Sequence, residues 1–449
     1  MGFVRAVLKM SNREILLDKF IEIMSRFGNL RSAVALRDAF ALTMPFTVGG
    51  SIFLLIAYLP IPGYAEFMAA TFGASWTDSL NAVASGTFGA LALVVVLSIT
   101  HRYVYLEGGD AIMASIIALT TFMILLPPGI TADNGDFIGG VIPRAWIGAN
   151  GIFTAIFVSF FVSYIFNFCD KKNLGLKMPE SVPMEIVRAF SAFTPALICF
   201  TAAAIVYGIC HHALDTTLPE LFFKIIQVPL QGLSDTLAGG VVITALQSIL
   251  FWAGIHGPNV VGAIVNPLLL ANTWENQQLL ELGQSLAGNP AAHIFTQQIN
   301  EVFTKSGGCG LTMGFLIASY FAAKSEQMKS VAKIAIVPGL FNINEPIIFG
   351  LPIVFNPYLL VPYILAPVLA MIITYTSISV GFMAPFSGSQ VPWTTPTIIS
   401  GFLLNGWQGA AVQLVNLIVS TLIYLPFVKI QDNIFLEEEE SQKGFSDEI

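Results

Sequence analysis

The apolar residues of this chain fall in separated blocks of about 20, the length that a helix needs to cross a ~30 Å hydrocarbon core. The blocks that predict uninterrupted spans are Ala39 to Leu59, Leu80 to Thr100, Ala111 to Leu126, Trp146 to Phe168, Ala189 to Tyr207, Gly239 to Ile255 and Ala410 to Val428. Shorter or broken segments lie at Leu311 to Ala323, Ile334 to Leu351 and Tyr358 to Val380. The pattern predicts an all-α integral membrane protein with about ten crossings.

Composition strengthens this prediction. Over 449 residues, 55% are hydrophobic and only 11% are charged, whereas soluble domains are about a quarter charged. The four cysteines show no metal-ligand spacing, and no P-loop, dinucleotide fingerprint or hydrolase triad is present. We therefore expect no metal, no cofactor and no nucleic acid partner, and a lipid bilayer as the surroundings.

Basic residues predict the orientation of the chain in the membrane. Seven of them precede the first span: Arg5, Lys9, Arg13, Lys19, Arg26, Arg31 and Arg37. Lys171, Lys172 and Lys177 follow the fourth span, and Lys324, Lys329 and Lys333 lie further on. By the positive-inside rule both termini are cytoplasmic. The number of crossings is then even, so the segment from Gly254 to Gly308 is partly re-entrant or holds an uncounted crossing.

The chain divides into regions of different character. Residues 1–38 are predicted to be a cytoplasmic amphipathic lead-in, and residues 39–212 a transmembrane half that serves as scaffold or dimerisation surface. A connecting segment, 213–235, leads to the second transmembrane half, 236–430, where Gly, Pro and Asn interrupt the apolar runs. Irregular backbone at membrane depth is tolerated where it lines a polar cavity, so the site is expected in this half. Residues 431–449 are expected to form an acidic, solvated cytoplasmic tail.

The segment "NINEPIIFGLPIVFNP" places one carboxylate, Glu345, between amides and a helix-breaking proline. An acidic side chain within a membrane usually faces a cavity or a partner. Pro346 biases Glu345 away from helical geometry, while Asn342 and Asn344 offer groups that both donate and accept hydrogen bonds, as sugar hydroxyls require. The alternative is that Glu345 pairs with an Arg or Lys and only stabilises the helix break.

Two further segments carry candidate binding groups. In "LFWAGIHGPNVVG" an apolar helix ends at His256, with Asn259 beyond it and Trp252 one turn before it. A structural histidine is the alternative there. In "SGSQVPWTTPTIISG" the candidates are Gln390, Trp393, Thr394 and Thr395, since an indole covers the C–H face of a pyranose while amides and hydroxyls bind its edge. Trp393 in an interfacial aromatic belt is the alternative. His293, in "HIFTQQINEVF", receives no role.

Taken together, "FWAGIHGPNVVG", "NINEPIIFGLPIVFNP" and "VPWTTPTIISG" resemble the membrane component, IIC, of sugar phosphotransferase-system permeases of the lactose/cellobiose/diacetylchitobiose type. The resemblance covers nearly the whole chain. It implies a homodimer of ten-span protomers, with re-entrant hairpins and the sugar site in the C-terminal half. It also implies import of a β-linked disaccharide, whose 6-hydroxyl receives a phosphoryl group from a phosphocysteine on a cytoplasmic IIB partner.

The resemblance also implies roles for individual residues. His256, Asn344 and Glu345 would contact the sugar, with Glu345 and His256 near the hydroxyl that is phosphorylated, and Trp393 would stack on the ring, with Trp252 as a further stacking candidate. The sequence lacks the cysteine-centred loop of a IIB domain, so the phosphodonor is expected to be a separate polypeptide. Two rival functions remain: a proton-coupled sugar transporter that uses Glu345 as its coupling carboxylate, and a sugar-sensing receptor.

Overall fold

The computed structural model describes residues 29–59, 61, 63–131, 136–176, 182–351 and 353–446, together with residues 23 and 26. The side chains of Met44, Thr131, Met184, Glu185, Glu345, Phe349 and residues 442–446 are not described. Most of the predicted lead-in, Lys177 and the last three residues of the tail therefore lie outside the described part, as does the carboxyl group of Glu345.

From residue 29 onward, the described residues of the first half form a series of helices and one small hairpin. The helices are α1 (Arg31–Ala57), α2 (Tyr64–Phe72), α3 (Asp78–Thr87), α4 (Leu91–Glu107), α5 (Ala111–Ile124), α6 (Arg144–Ile147), α7 (Ile152–Lys171), α8 (Met184–Ser191) and α9 (Phe193–Ala213). Short 3₁₀ turns, Phe88–Ala90 and Ala149–Gly151, lead into α4 and α7. Strands β1 (Gly129–Thr131) and β2 (Phe137–Gly139) pair antiparallel, with Ile130 opposite Ile138.

The second half continues with α10 (Leu218–Phe222), α11 (Val228–Ser234), α12 (Leu237–Trp252), α13 (Gly257–Glu281), α14 (Met313–Ala322), α15 (Glu326–Leu340), α16 (Glu345–Gly350), α17 (Pro357–Ser379) and α18 (Ile399–Ser446). Single π-helical turns cover Phe223–Gln227 and Ile299–Phe303. Non-helical backbone at Asn405 and Gly406 breaks α18 near its start. The all-α prediction is confirmed.

Six helices within the described residues are long and apolar enough to cross a membrane: Arg31–Ala57, Asp78–Glu107, Ala149–Lys171, Ile186–Ala213, Pro357–Ser379 and Ile399–Ser441. A bent pair, Leu218–Ser234 with Leu237–Trp252, turns by 81° and makes a seventh if it is one span. Ala111–Ile124 and Met313–Ala322 are apolar but shorter. These elements agree with a multi-pass membrane protein. The described residues hold six or seven helices of full spanning length, where the sequence predicted about ten crossings.

Helix α13 joins the two halves. Its Leu270, Ala271 and Trp274 belong to the hydrophobic cluster of the first half, and the ring of Trp274 stacks on Phe88 with centroids 5.0 Å apart. The same helix buries Asn272 and Asn276 completely. Those amides make the segment too polar for a hydropathy pattern to reveal, which is why the region from Gly254 to Gly308 was ambiguous. The structure places a 25-residue helix there.

The predicted acidic tail, 431–449, differs from expectation at its start. Helix α18 continues to Ser446, and Asp432 is 2% exposed. The carboxylate of Asp432 accepts hydrogen bonds from the backbone N–H groups of Lys324 and Ser325 and from the Ser325 hydroxyl. The first residues of the tail are thus packed and satisfy the N-terminus of α15, since unpaired backbone donors there need acceptors.

Candidate functional site

A cavity of about 390 Å³ lies between helix α1 and the second half of the chain, within the range of about 300–1,000 Å³ that small-molecule sites occupy. Of the residues predicted to form the site, six line this cavity: His256, Asn259, Asn342, Asn344, Gln390 and Trp393. Helix α1 supplies part of the wall, including Arg37, Phe40 and Thr43. The cavity therefore includes residues of the first half, in addition to the second half in which the sequence analysis expected the polar site.

His256 is positioned by the turn between α12 and α13. It is the N-cap of α13, and its Nδ1 accepts a hydrogen bond of 3.3 Å from the backbone N–H of Asn259. In the neutral ring the proton is then on Nε2, which can act as a donor. The ring of Phe251 lies 5.0 Å from the imidazole, centroid to centroid, and also lines the cavity.

Asn342 connects three segments of the wall. Its backbone φ is +63°, in the left-handed region that asparagine tolerates better than most residues. Its Oδ1 accepts from the backbone N–H of Gly307 at 2.8 Å. Its Nδ2 donates to the carbonyls of Trp393, at 2.6 Å, and Thr395, at 3.1 Å. One side chain thus ties the loop at Gly307 and the loop of Trp393 and Thr395 to the segment that carries Asn344.

Asn344 and Glu345 begin helix α16. Asn344 is the N-cap residue, is 5% exposed, and donates from Nδ2 to the carbonyl of Cys309 at 2.9 Å. Gly308 lies against it with φ +104°, and a Cβ at that position would stand 2.5 Å from Cγ of Asn344. The backbone of Glu345 directly follows this contact. Its position is therefore set by the loop from Gly307 to Gly310, called here the glycine loop.

The segment from Ser387 to Trp393 is anchored by the side chain of Gln298. The Nε2 of Gln298 donates to the carbonyls of Ser387, at 2.6 Å, and Ser389, at 2.7 Å. Trp393 is 46% exposed and lines the cavity, an arrangement that leaves aromatic surface open to a ligand. In Gln390, Gln297 and Asn266, which all line the cavity, one buried amide atom has no hydrogen-bond partner among the described residues.

Three predicted residues do not line the cavity. Trp252 is 6% exposed, and its indole N–H donates to the carbonyl of Asn356 at 2.8 Å. Its ring meets Phe355 edge to face. Thr394 and Thr395 lie beside the cavity-lining Trp393, and Thr395 is tied to Asn342 through its carbonyl. The structure thus offers Phe251, the neighbour of Trp252, as an aromatic cavity residue of α12.

Sequence reasoning missed three charged residues in the cavity wall: Arg37, Glu301 and Lys305. Lys305 Nζ lies 2.8 Å from Glu301 Oε1, and the two side chains are 11% and 30% exposed. Arg37 is paired with Asp38 at 2.9 Å and is 38% exposed. Glu301 and Lys305 are four residues apart, the spacing of an ordinary ion pair on the surface of a helix. Nothing in the sequence therefore indicates that the two residues line a cavity.

His293, which received no role from the sequence, lies between two carboxylates outside the spanning helices. Its Nδ1 is 3.0 Å from Asp235 and its Nε2 is 2.8 Å from Glu275. Burial lowers the pKa of this imidazole, but hydrogen bonds and charges from Asp235 and Glu275 outweigh it and raise the pKa to about 9. Asp235 stands at the bend between α11 and α12, so this ion cluster fastens the loop at 289–296 to the bend.

The profile of the family described as "Phosphotransferase system, EIIC" matches residues 37–367 of the chain, which include the cavity-lining residues His256, Asn342 and Asn344. The chain belongs to this family. Membership in the EIIC family makes the protein a sugar-specific membrane permease component, in agreement with the apolar helices described above.

Individual EIIC proteins are similar over almost their full lengths. The lichenan permease IIC component of Bacillus subtilis (strain 168) is 36% identical, with 95% of each chain covered. The cellobiose-specific EIIC component of Geobacillus stearothermophilus is 34% identical, with 96% of each covered. The crystal structure of ChbC, the IIC component of the N,N'-diacetylchitobiose-specific phosphotransferase system, superposes with a TM-score of 0.90 at 36% identity, over 95% of this chain and 99% of ChbC.

Proposed function

We propose that this EIIC protein imports a β-linked disaccharide of the cellobiose, lactose or diacetylchitobiose type and presents its 6-hydroxyl to a cytoplasmic IIB partner. The observation that carries the proposal is the cavity itself, which brings His256, Asn344 and Trp393 together from three separate segments of the chain. Those segments are the ones that carry the family resemblance. The similar lichenan, cellobiose and diacetylchitobiose components support the choice of substrate class.

The chemistry of the wall suits a neutral, hydroxyl-rich ligand. Trp393 and Phe251 supply aromatic surface for the apolar faces of pyranose rings. His256, Asn259 and Gln390 supply donors and acceptors for the ring edges. One buried amide atom in each of Asn266, Gln297 and Gln390 has no hydrogen-bond partner within the described part of the chain. These atoms can bind further sugar hydroxyls, because buried polar groups in folded proteins are normally hydrogen-bonded.

In the proposed reaction the sugar 6-oxygen attacks the phosphorus of a IIB phosphocysteine. An O–P bond forms, the S–P bond breaks, the cysteine thiolate leaves, and the hydroxyl proton passes to the carboxylate of Glu345. His256 orients the same hydroxyl. The attached phosphate carries about −1.5 to −2 charges, so the product cannot recross an apolar barrier and import is one-way.

Proton-coupled transport is the second candidate, supported by the single carboxylate of the "NINEP" segment. Proteoliposomes loaded with phosphorylated IIB distinguish the two. The proposed function requires uptake that depends on phospho-IIB, survives an uncoupler and yields sugar phosphate. Uptake that persists without phospho-IIB and collapses with the uncoupler would replace it. Binding of cellobiose, lactose and diacetylchitobiose to the purified protein would identify the preferred sugar.

For the assembly we propose a homodimer formed through residues 39–212, with both termini cytoplasmic. Helix α9 supports this, because it is apolar and exposes Leu197, Ile198, Ile205 and Ile209. Cross-linking of variants with single cysteines on this face should yield a covalent dimer in native membranes. If the face only contacts lipid, the same variants should remain monomers after cross-linking.

A further inference from the structure

The cavity wall contains an ion pair that a neutral sugar does not need. Lys305 and Glu301 both line the cavity, and their charged atoms are 2.8 Å apart. Disaccharide hydroxyls are satisfied by amides, imidazole and backbone groups, which the same wall supplies. Burying an ion pair is often no better for stability than apolar packing, because both charges lose water. A largely buried lysine at this place therefore calls for an explanation beyond sugar binding and stability.

Lys305 is attached to the part of the wall that carries the acceptor group. It directly precedes the loop from Ser306 to Gly310. In this loop the N–H of Gly307 donates to Asn342, and the carbonyl of Cys309 accepts from Asn344. The next residue after Asn344 is Glu345. The backbone of Lys305 is thus coupled, through two direct hydrogen bonds of its loop, to the segment that holds the proposed proton acceptor.

The Lys305 side chain is held but not locked. Glu301 Oε1, its partner, also accepts a hydrogen bond of 2.8 Å from Nδ2 of Asn300, so this carboxylate keeps a donor if the lysine leaves. An ammonium group on a four-carbon stem is a mobile point charge with three donors, suited to phosphate oxygens. Arg37 is less suited, because its side chain is 38% exposed to solvent, against 11% for Lys305.

We propose that Lys305 is a phosphate-binding residue of this site, which exchanges Glu301 for the oxygens of the phosphoryl group as that group reaches the sugar. This rests on the proposed function and adds a group to it. The bonds made and broken are those of the transfer given above, and Lys305 neither gains nor loses a proton. Its charge offsets the negative charge that the phosphoryl oxygens bring into the cavity.

Equilibrium binding to the purified protein tests this without IIB, with cellobiose and cellobiose 6-phosphate as the two probes. The readout is the ratio of their dissociation constants. Lys305→Gln should weaken cellobiose 6-phosphate relative to cellobiose by about 10- to 150-fold, the effect expected of a hydrogen bond to a charged group. Lys305→Arg should keep the ratio within about threefold of wild type. Glu301→Gln, which frees the lysine, should strengthen the phosphorylated sugar relative to cellobiose.

Lys329→Gln is the matched control, because Lys329 forms a similar pair with Glu326 at 3.2 Å on the exposed face of α15. It should leave the ratio unchanged. If Lys305→Gln weakens both sugars by the same factor, the lysine has only a structural role and the inference is overturned. It is also overturned if wild type binds cellobiose but not its phosphate. A wild-type protein that binds no disaccharide would instead overturn the proposed function.

Discussion

The side-chain amide of Asn344 donates to the main-chain carbonyl of Cys309 at 2.9 Å, and the neighbouring Gly308 packs against the same side chain. This contact joins the glycine loop after Lys305 to the helix that begins at Glu345. The position of Glu345, the proposed proton acceptor, therefore depends on the absence of a side chain at Gly308.

Gly308→Ala should damage the site more than a comparable change elsewhere. The new Cβ would stand 2.5 Å from Asn344 Cγ, at a φ of +104° that side chains rarely adopt. We expect a loss of about 1–3 kcal/mol in unfolding free energy from overpacking, with weaker sugar binding. Gly381→Ala is the control, since its φ is +79° but a Cβ there meets nothing within 4 Å. Equal losses in the two variants would mean that backbone strain alone matters.

Glu345→Gln should abolish phosphorylation-coupled uptake while leaving folding and dimerisation intact. Loss of a general base costs about 10²- to 10⁴-fold in rate, and the amide keeps the size of the side chain. The measurement is sugar phosphate formation in vesicles supplied with phosphorylated IIB. Glu326→Gln serves as the control because its carboxylate is 79% exposed on α15. Normal accumulation by Glu345→Gln would remove the proposed role.

Trp393→Ala should weaken sugar binding by about 1–3 kcal/mol, if the ring stacks on the sugar as a binding hot spot. Trp393→Phe should recover part of the loss. The control is Trp407→Ala, since Trp407 lies on α18 with its ring 5.6 Å from Phe382 and 63% exposed. Titration calorimetry with the preferred disaccharide measures the difference. An unchanged affinity in Trp393→Ala would return this residue to a membrane-interface role.

The His293 cluster predicts a loss of stability in alkaline solution. Folding raises the pKa of His293 from 6.5 to about 9, so the folded state holds the proton more tightly than the unfolded state. The resulting stabilisation is complete below the unfolded pKa and declines as pH rises through about 9. The unfolding temperature in detergent should therefore fall between pH 7 and pH 10, and His293→Gln should flatten this dependence. His212→Gln, an exposed site at the end of α9, should retain it.

Hydropathy predicted the long helices well where one apolar face meets lipid. The segment from Ala39 to Leu59 corresponds to Arg31–Ala57, and Ala410 to Val428 lies inside Ile399–Ser446. Tyr358 to Val380, predicted to be shorter or broken, is instead the continuous helix Pro357–Ser379. Hydropathy failed to predict α13, because the buried amides of this helix bind distant backbone groups. Asn276, for example, donates to the carbonyls of His293 and Phe386. A polar side chain with a tertiary partner looks, in the sequence, like a solvent-facing one.

The candidate site was predictable where chemistry coincides with a local break in the chain. His256, Asn344 and Trp393 all stand within two residues of a Gly or Pro, and all line the cavity. Arg37 was not predictable, because only the packing of α1 against the second half brings it there. Trp252 illustrates the opposite error: it stands four residues before His256 in the sequence, but it ends α12 and its indole N–H donates to the carbonyl of Asn356.

Two amide side chains at the cavity anchor its loops through peptide groups. Asn342 holds the carbonyls of Trp393 and Thr395, and Gln298 those of Ser387 and Ser389. Main-chain atoms are the same whatever residue bears them, so exchanging Trp393 or Gln390 leaves these anchors intact. A protein built in this way can be retuned toward another saccharide one residue at a time, without dismantling the frame that positions the reacting group.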